Sequence, residues 1–403
     1  MADRISVAEA LDRIDHHLLP SQPQRIVVDA DAQSHILSAP VAAVADTPRF
    51  DCSAMDGFAL LSRETLGATA SAPVFLTRTE DIPAEAAPAA LQPRTAAPIS
   101  TGARIPEGAD AVVAKEYCRV VSGVVELTES VAAGRNIRRR GEEVLAGSCV
   151  AAAGLPLSPA LIGALLSYGV SHVEARRPPH IEIITTGSEL IARPGHDSAA
   201  RVDSNGPMIG AMCRSLGLPY RVTGPVRDDL PQLCHRLLSL GNDPQSDMLI
   251  TTGGVSAGTH DLIREALDQI GARIIFHGIA MRPGKPFLFA ILPDGRPFFG
   301  LPGNPVAALV GFRFFVLAAI RRTLGLPREA GQNISAPAPP RDGTTLFLRA
   351  RTKAPPSGEV ELLDDQRSHV LGSIIAANCW VRLDPTAEGA GALLFDQTPR
   401  LVP

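Results

Sequence analysis

The spacing of apolar residues changes three times along this chain, and each change predicts a different kind of structure. In the first stretch, "MADRISVAEALDRIDHHLL", apolar residues fall at Ile5, Ala8, Leu11 and Ile14 between acids and bases. That is the spacing of an amphipathic helix and not the unbroken apolar core of an export signal. Residues 62 to 110 carry many Pro, Ala and Thr around short strand-like pieces, "PVFLT" and, at the end, "DAVVAKEY". They predict a small β-rich module. "GRNIRRRGEEVLAGSCVAAAGLPLSPALIGALLSYGV" then predicts a basic turn, a short strand and a helix from about Ser158 with proline in its first turn.

From Ile181 the pattern alternates. Strands "IEIITT", "YRVTG", "MLITT" and "ARIIFHGI" are separated by helical spacing over about 206 to 216, 230 to 240 and 261 to 270. Alternation of this kind predicts a doubly wound α/β domain, a parallel sheet with helices on both faces. The greasiest stretch, "VAALVGFRFFVLAAI", is interrupted by Arg313 and falls short of the roughly 20 residues a membrane span needs. It reads as a buried helix with Pro305 in its first turn. After Leu324, "GQNISAPAPPRDGT" is a linker, and short strands forming a small β domain follow it.

Composition narrows the function classes. With 403 residues, 45% hydrophobic and 20% charged, the chain is long enough for several globular domains. Aromatics at 4% and a net charge of -4 supply neither a stacking platform nor a basic face, so nucleic acid is not expected as a partner, nor is a membrane. Six cysteines without a C-x-x-C pair fit reduced thiols in the cytoplasm, with no metal held through sulfur.

Chemistry gathers in the loops of the α/β segment. In such sheets ligands sit beyond the carboxyl ends of the strands, so "TTGSEL" with Glu189 and "TTGGVSAGTHD" with Gly253, Gly254, Ser256 and Asp261 point into one crevice. A glycine turn before a helix gathers backbone N–H groups, which suit an oxyanion. Asp203 lies in "VDSNGP", a helix entry capped by Ser204 or Asn205, and Asp247 immediately precedes the strand "MLITT" that leads into the second loop. Carboxylates beside an anion loop suit Mg²⁺, although an acid at a helix start is most often a cap. "MRPGKPFLFA" adds Arg282 and Lys285, and the chain holds only three lysines. "GLPGNPVAALV" supplies a further strand-to-helix turn with Pro302, Asn304 and Pro305.

The strings "RFDCSAMDGFAL", "ISTGARIPEGADAVV", "GRNIRRRGEEV", "TTGSEL", "TTGGVSAG", "RPGKP" and "GLPGNPVAAL" occur in an order that resembles the MoeA family, the molybdopterin molybdenumtransferases, which includes the E domain of gephyrin. The resemblance spans nearly the whole chain. It implies a multidomain α/β protein: a split linker and dimerisation domain (1–45 and 137–176), an inserted β-rich domain (46–136), a MogA-like α/β domain (177–326) and a C-terminal β domain (327–403). It also implies a cytoplasmic homodimer that binds adenylylated molybdopterin, hydrolyses its pyrophosphate bond with Mg²⁺, inserts molybdate and releases AMP. A molybdopterin adenylyltransferase and molybdoenzyme chaperones are the further partners it brings in.

Carried over by motif, Asp56 and Thr101 reach the active site from the partner subunit's inserted domain, and Arg138, Arg139 and Arg140 organise the linker and dimer. Glu189, Asp247 and Asp261 surround metal and phosphate; the Gly253–Gly254 loop cradles molybdopterin, with the substrate-binding Ser256 close to the phosphates or metal. Lys285, Arg282, Pro302, Asn304 and Pro305 line the molybdate side, and Arg349 with Ser368 and Ser373 closes the pocket. The sequence departs from the family pattern at Cys52 for asparagine, Phe58 for tyrosine, Arg282 for lysine and Ala307 for serine. Two alternatives stay open: a diverged molybdopterin-binding scaffold, and a molybdopterin adenylyltransferase, to which the α/β segment alone is similar.

Overall fold

The computed structural model describes residues 4–82, 88–191, 201–241, 246–255, 262–335, 343–353, 359–385, 391–399 and 401. Its first helix, Val7–His17, is capped by Ser6, whose Oγ accepts the Glu9 N–H at 3.1 Å. Val7, Ala10 and Ile14 are its buried face, and they join the main core.

At the centre lies a six-stranded sheet in the order Tyr220–Val226, Ile181–Thr186, Met248–Thr252, Pro297–Leu301, Leu288–Ile291, Arg273–His277. The first four strands are parallel. Ile181–Thr186, Met248–Thr252 and Pro297–Leu301 are buried at every position, as strands covered on both faces must be. One face packs Ile181, Ile183 and Ile250 against the helices Asn205–Ser215 and Pro305–Gly311; the other packs Ile184 and Leu249 against Leu230–Gly241 and Leu262–Gln269.

The strand–helix alternation ends at His277. Leu288–Ile291 runs antiparallel to both its neighbours. A turn containing Pro293, Asp294 and Gly295 (φ +89°) returns the chain directly into Pro297–Leu301, so a hairpin replaces a helical crossover. The buried helix is present as Pro305–Gly311 and Leu317–Thr323, joined by a π-helical turn at Phe312–Val316.

Around this centre stand smaller sheets. Gly57–Leu60, Val74–Arg78, Thr95–Ile99, Ala111–Ala114, Arg119–Val121 and Val124–Leu127 form a second six-stranded sheet with two small apolar cores. Gln24–Val27, His172–Arg176 and Ile36–Leu37 form a three-stranded sheet beside the helix Pro159–Ser167, whose N-cap is Ser158. A last sheet contains Thr345–Thr352, Cys379–Asp384 and Gly391–Asp396, with Met281–Arg282 of the central unit paired in parallel to its edge. That pairing ties the basic loop to the C-terminal sheet.

The three consecutive arginines fold a junction between segments. Arg138 pairs with Glu143, Arg139 with Asp51 at 2.6 Å, and Arg140 with Asp46. The Arg140 N–H, then the Arg139 guanidinium, hold the Asp51 carboxyl below its ordinary range against an opposing push from burial. A depressed folded value stabilises above the unfolded carboxylate range and loses that contribution as pH falls through the folded value. Asp51→Asn is therefore expected to melt below wild type at pH 6, with the gap closing as pH falls below about 4; melting curves at pH 6 and pH 3 check this.

Candidate active site

Three strand-end loops meet at the carboxyl edge of the central sheet. In the first, Gly187 has φ +147° and its N–H donates to Val226 O at 3.1 Å. A Cβ there would stand 2.9 Å from Glu189 Oε2, so only glycine lets that carboxylate fold back over the turn. Ser188 N–H donates to Asp228 Oδ2 at 3.0 Å, and Asp228 N–H donates to Ser188 Oγ at 3.0 Å, which locks a second carboxylate beside the first loop. In the next loop Gly253, at φ +95°, donates its N–H to Leu301 O at 3.0 Å. A Cβ on it would lie 2.5 Å from Thr186 O. The glycine pair is thus required first for close approach of two loops. The third loop, Pro302 to Pro305, opens the long helix; Asn304 makes no capping bond and instead donates Nδ2 to Ser368 Oγ at 3.2 Å.

These loops border a cavity of about 1200 Å³, lined also by Leu346, Phe347 and Leu348 of the C-terminal sheet and by Gln366, Ser368 and His369 in the connection between two of its strands. The size accepts a nucleotide-sized ligand. Glu189, Asp203, Asp228 and Arg201 line it, and Arg282 and Lys285 reach it from the loop threaded to the C-terminal sheet. Lys285 is exposed and makes no ion pair among the described residues. Carboxylate oxygens in such a lining suit a hard divalent cation, and the cationic side chains suit an oxyanion.

Of the residues singled out in the sequence, Glu189, Gly253, Gly254, Arg282, Lys285, Pro302, Asn304, Pro305 and Ser368 line this cavity. Ser256 and Asp261 lie outside the described residues. Asp247 does not join them. It precedes Met248–Thr252 and so stands at the opposite edge of the sheet, about 16 Å of strand away. Its carboxylate is held there by Arg177 at 2.6 and 2.7 Å and by the His180 N–H at 2.7 Å. Ser373 is also displaced, buried with its Oγ donating to Val370 O at 3.0 Å. Arg349 stands behind the cavity wall, wholly buried, with Nη2 donating to Asp365 O at 2.9 Å; burial pushes its guanidinium pKa down. Asp56 and Thr101 lie in turns at the ends of two strands of the other six-stranded sheet and do not line this cavity; Thr101 N–H and Oγ1 both donate to Asp56 Oδ1 at 2.8 Å. Those bonds, then the nearby Lys115, hold the Asp56 carboxyl below its ordinary range.

The helix entry at Asp203 is capped differently from the expectation: Ser204 makes no side-chain cap, and Asp203 Oδ1 accepts the Gly206 N–H at 3.1 Å. Asp228 was missed. It follows the strand Tyr220–Val226 in "VRDDL", so the strand-end rule that selected Glu189 selects it too. Cys52 is buried and its thiol is pushed up by burial, which leaves no activated nucleophile. Among the described residues no three His, Cys, Asp or Glu side chains converge as a metal cluster. No described helix is long and apolar enough to cross a membrane.

The chain is similar to several known proteins. Residues 5–169 match the MoeA N-terminal region (domain I and II), and residues 182–322 match a probable molybdopterin binding domain. A molybdopterin molybdenumtransferase of Staphylococcus aureus (strain MSSA476) is 33% identical over 397 residues, 96% of this chain and 93% of that protein. Molybdopterin molybdenumtransferase 2 of Mycobacterium tuberculosis (strain ATCC 25618 / H37Rv) is 38% identical over 304 residues, 73% of this chain and 74% of that one. The solved molybdopterin biosynthesis MoeA protein of Pyrococcus horikoshii OT3 superimposes with a TM-score of 0.70 at 25% identity, covering 97% of this chain and 99% of that one.

Proposed function

The chain belongs to the MoeA family, the molybdopterin molybdenumtransferases of molybdenum cofactor biosynthesis, and we propose that it hydrolyses the pyrophosphate bond of adenylylated molybdopterin, releases AMP and inserts molybdate into the dithiolene. The observation that carries this reading is one cavity lined both by carboxylates, Glu189, Asp203 and Asp228, and by cations, among them Arg282 and Lys285 of the loop paired to the C-terminal sheet.

Hydrolysis of a pyrophosphate needs its charge neutralised and a water positioned in line. Glu189 and Asp228, with Asp261 outside the described residues, would hold Mg²⁺, which prefers a few carboxylates plus water and substrate phosphate. Bound there, the ion would screen the phosphates and favour departure of AMP. Lys285 supplies an exposed point charge for molybdate, Arg282 a planar one, and Asn304 and Ser368 supply polar groups from two different units. Ala307 lines the same wall and offers no hydroxyl, so cation attraction carries more of the oxyanion binding here than in relatives with serine.

The same reading makes the protein a cytoplasmic homodimer, divided as the family resemblance implies, in which Asp56 and Thr101 of the partner subunit complete the cavity. Val44, Leu145 and Leu166 are exposed at 67%, 58% and 50% on the linker elements, apolar surface suited to such an interface.

AMP release from adenylylated molybdopterin with Mg²⁺, with and without molybdate, tests the proposal. Molybdate-dependent release is expected, and Asp247→Asn, away from the cavity, is expected to stay within about threefold of wild type. Substrate binding without release would leave a molybdopterin-binding scaffold and sink the transferase mechanism; dependence on ATP would point to an adenylyltransferase.

A further inference from the structure

Inserting molybdate moves protons, and one side chain of the cavity is of the kind that moves them. Two S–H groups of the dithiolene and one molybdate dianion give two S–Mo bonds. One Mo–O bond breaks, and its oxygen leaves as water carrying both thiol protons. Molybdenum stays hexavalent, so nothing is oxidised or reduced. A thiol is a poor ligand until its proton has gone, and an oxo group is a poor leaving group until it is protonated. Both halves of the step gain from a group that takes a proton and gives it back near neutral pH.

The described lining holds one side chain of that type. Its carboxylates suit the divalent cation, while guanidinium and ammonium groups as a class hold their protons too tightly to pass them on. Hydroxyls and amides do not titrate near neutrality. His369 is the single imidazole among the described lining residues, and histidine is the side chain whose charge ordinarily changes between about pH 5 and 8.

Its setting suits the task. His369 is exposed, and its ring makes no hydrogen bond, ion pair or ring contact among the described residues. The chain on either side of it is fastened. Ser368 Oγ accepts Asn304 Nδ2 at 3.2 Å, which ties the segment to the loop that opens Pro305–Gly311, and Val370 O accepts Ser373 Oγ at 3.0 Å. Gln366, three residues earlier, is bonded in both directions to the Arg349 backbone at 2.9 Å. A ring without a partner thus stands on an anchored backbone, next to the Ser368–Asn304 contact assigned above to the molybdate side.

Resting on the transferase reading above, we propose that His369 is the proton carrier of molybdate insertion: its neutral ring takes a proton from a dithiolene thiol, and the imidazolium gives it to the oxygen that leaves as water. Two passes account for both protons. Lys285 and Arg282 hold the oxyanion in this account, and His369 is a catalytic residue that adds little to its binding.

Single turnovers of wild type, His369→Ala and His369→Gln test it. Each protein is loaded with adenylylated molybdopterin and Mg²⁺, the reaction is started with molybdate, and molybdenum bound to the extracted pterin is followed in time. Calorimetry with molybdate alone runs beside it. Both variants are expected to bind molybdate within about twofold of wild type and to insert it about a hundredfold more slowly, with free imidazole restoring part of the rate to the alanine variant. Because the side chain is exposed and unpartnered among the described residues, both variants are expected to melt with wild type. Insertion by His369→Ala near the wild-type rate overturns the inference alone. A loss of molybdate binding that matches the loss of rate makes His369 a ligand for the oxyanion and overturns it. A slow alanine variant that imidazole leaves unchanged overturns it as well. Wild type that inserts no molybdate overturns the parent reading together with this one.

Discussion

Glu189→Gln is expected to lower molybdate-dependent AMP release by about two orders of magnitude or more, and to raise the Mg²⁺ concentration needed for half-maximal rate. The substitution preserves size and one acceptor oxygen but removes the charge. Glu189 sits on the turn whose Gly187 leaves room for its carboxylate, and Asp228 is tied to the same turn through Ser188. The turn therefore brings two carboxylates to one end of the cavity without a metal cluster being fully assembled by protein groups among the described residues. With so few protein ligands each charge matters, because the remaining positions belong to water and phosphate. A Mg²⁺ titration of AMP release separates the outcomes. A lower maximal rate with a shifted Mg²⁺ midpoint supports a ligand role; an unshifted midpoint at wild-type rate removes Glu189 from the metal.

The second large effect is on stability. Arg313→Met is expected to cost about 3 kcal/mol, the lower end for breaking a buried pair by removing one partner. Arg313 is 1% exposed inside the π-helical turn. Its guanidinium grips Glu329 through both terminal nitrogens and donates to Asp396 O at 3.1 and 3.3 Å. It also lies over the rings of Phe314 and Phe395, 5.0 and 5.7 Å from their centroids. Methionine fills the space and leaves Glu329 and a carbonyl without donors. For a unit of 150–250 residues such a loss lowers the melting temperature by about 6–12 °C. Because the C-terminal sheet holds Met281–Arg282, the apparent KM for molybdate is expected to rise as the docking loosens. Melting curves and molybdate kinetics on the same preparation check both; an unchanged melt would mean that the aromatic cluster alone holds the domains together.

The multidomain α/β class was legible in the sequence because alternation and periodicity are local. Apolar spacing announces the first helix, although its buried face is Val7, Ala10 and Ile14, with Ile5 before the helix and Ala8 exposed; Ser158 followed by Pro159 announces another. Apolar runs at Ile181–Thr186 and Met248–Thr252 mark strands that become the buried middle of the sheet. The strand-end rule likewise places Glu189, Gly253 and Asn304 near one another before any coordinates exist, since parallel strands send their following loops to one edge. The family motifs added the reaction.

Direction and partnership were decided only by the tertiary structure. An aspartate before a strand and one after it look alike in sequence, yet they stand at opposite edges of the sheet: Asp247 meets Arg177, while Asp228 meets the cavity. Pairing of Met281–Arg282 with Thr345–Thr352 joins segments more than sixty residues apart, and no local pattern announces it. Sequence determines which segments must be buried, because burial follows from residue type and spacing. Which charged groups face one another depends on how distant segments dock, and docking is a property of the whole fold.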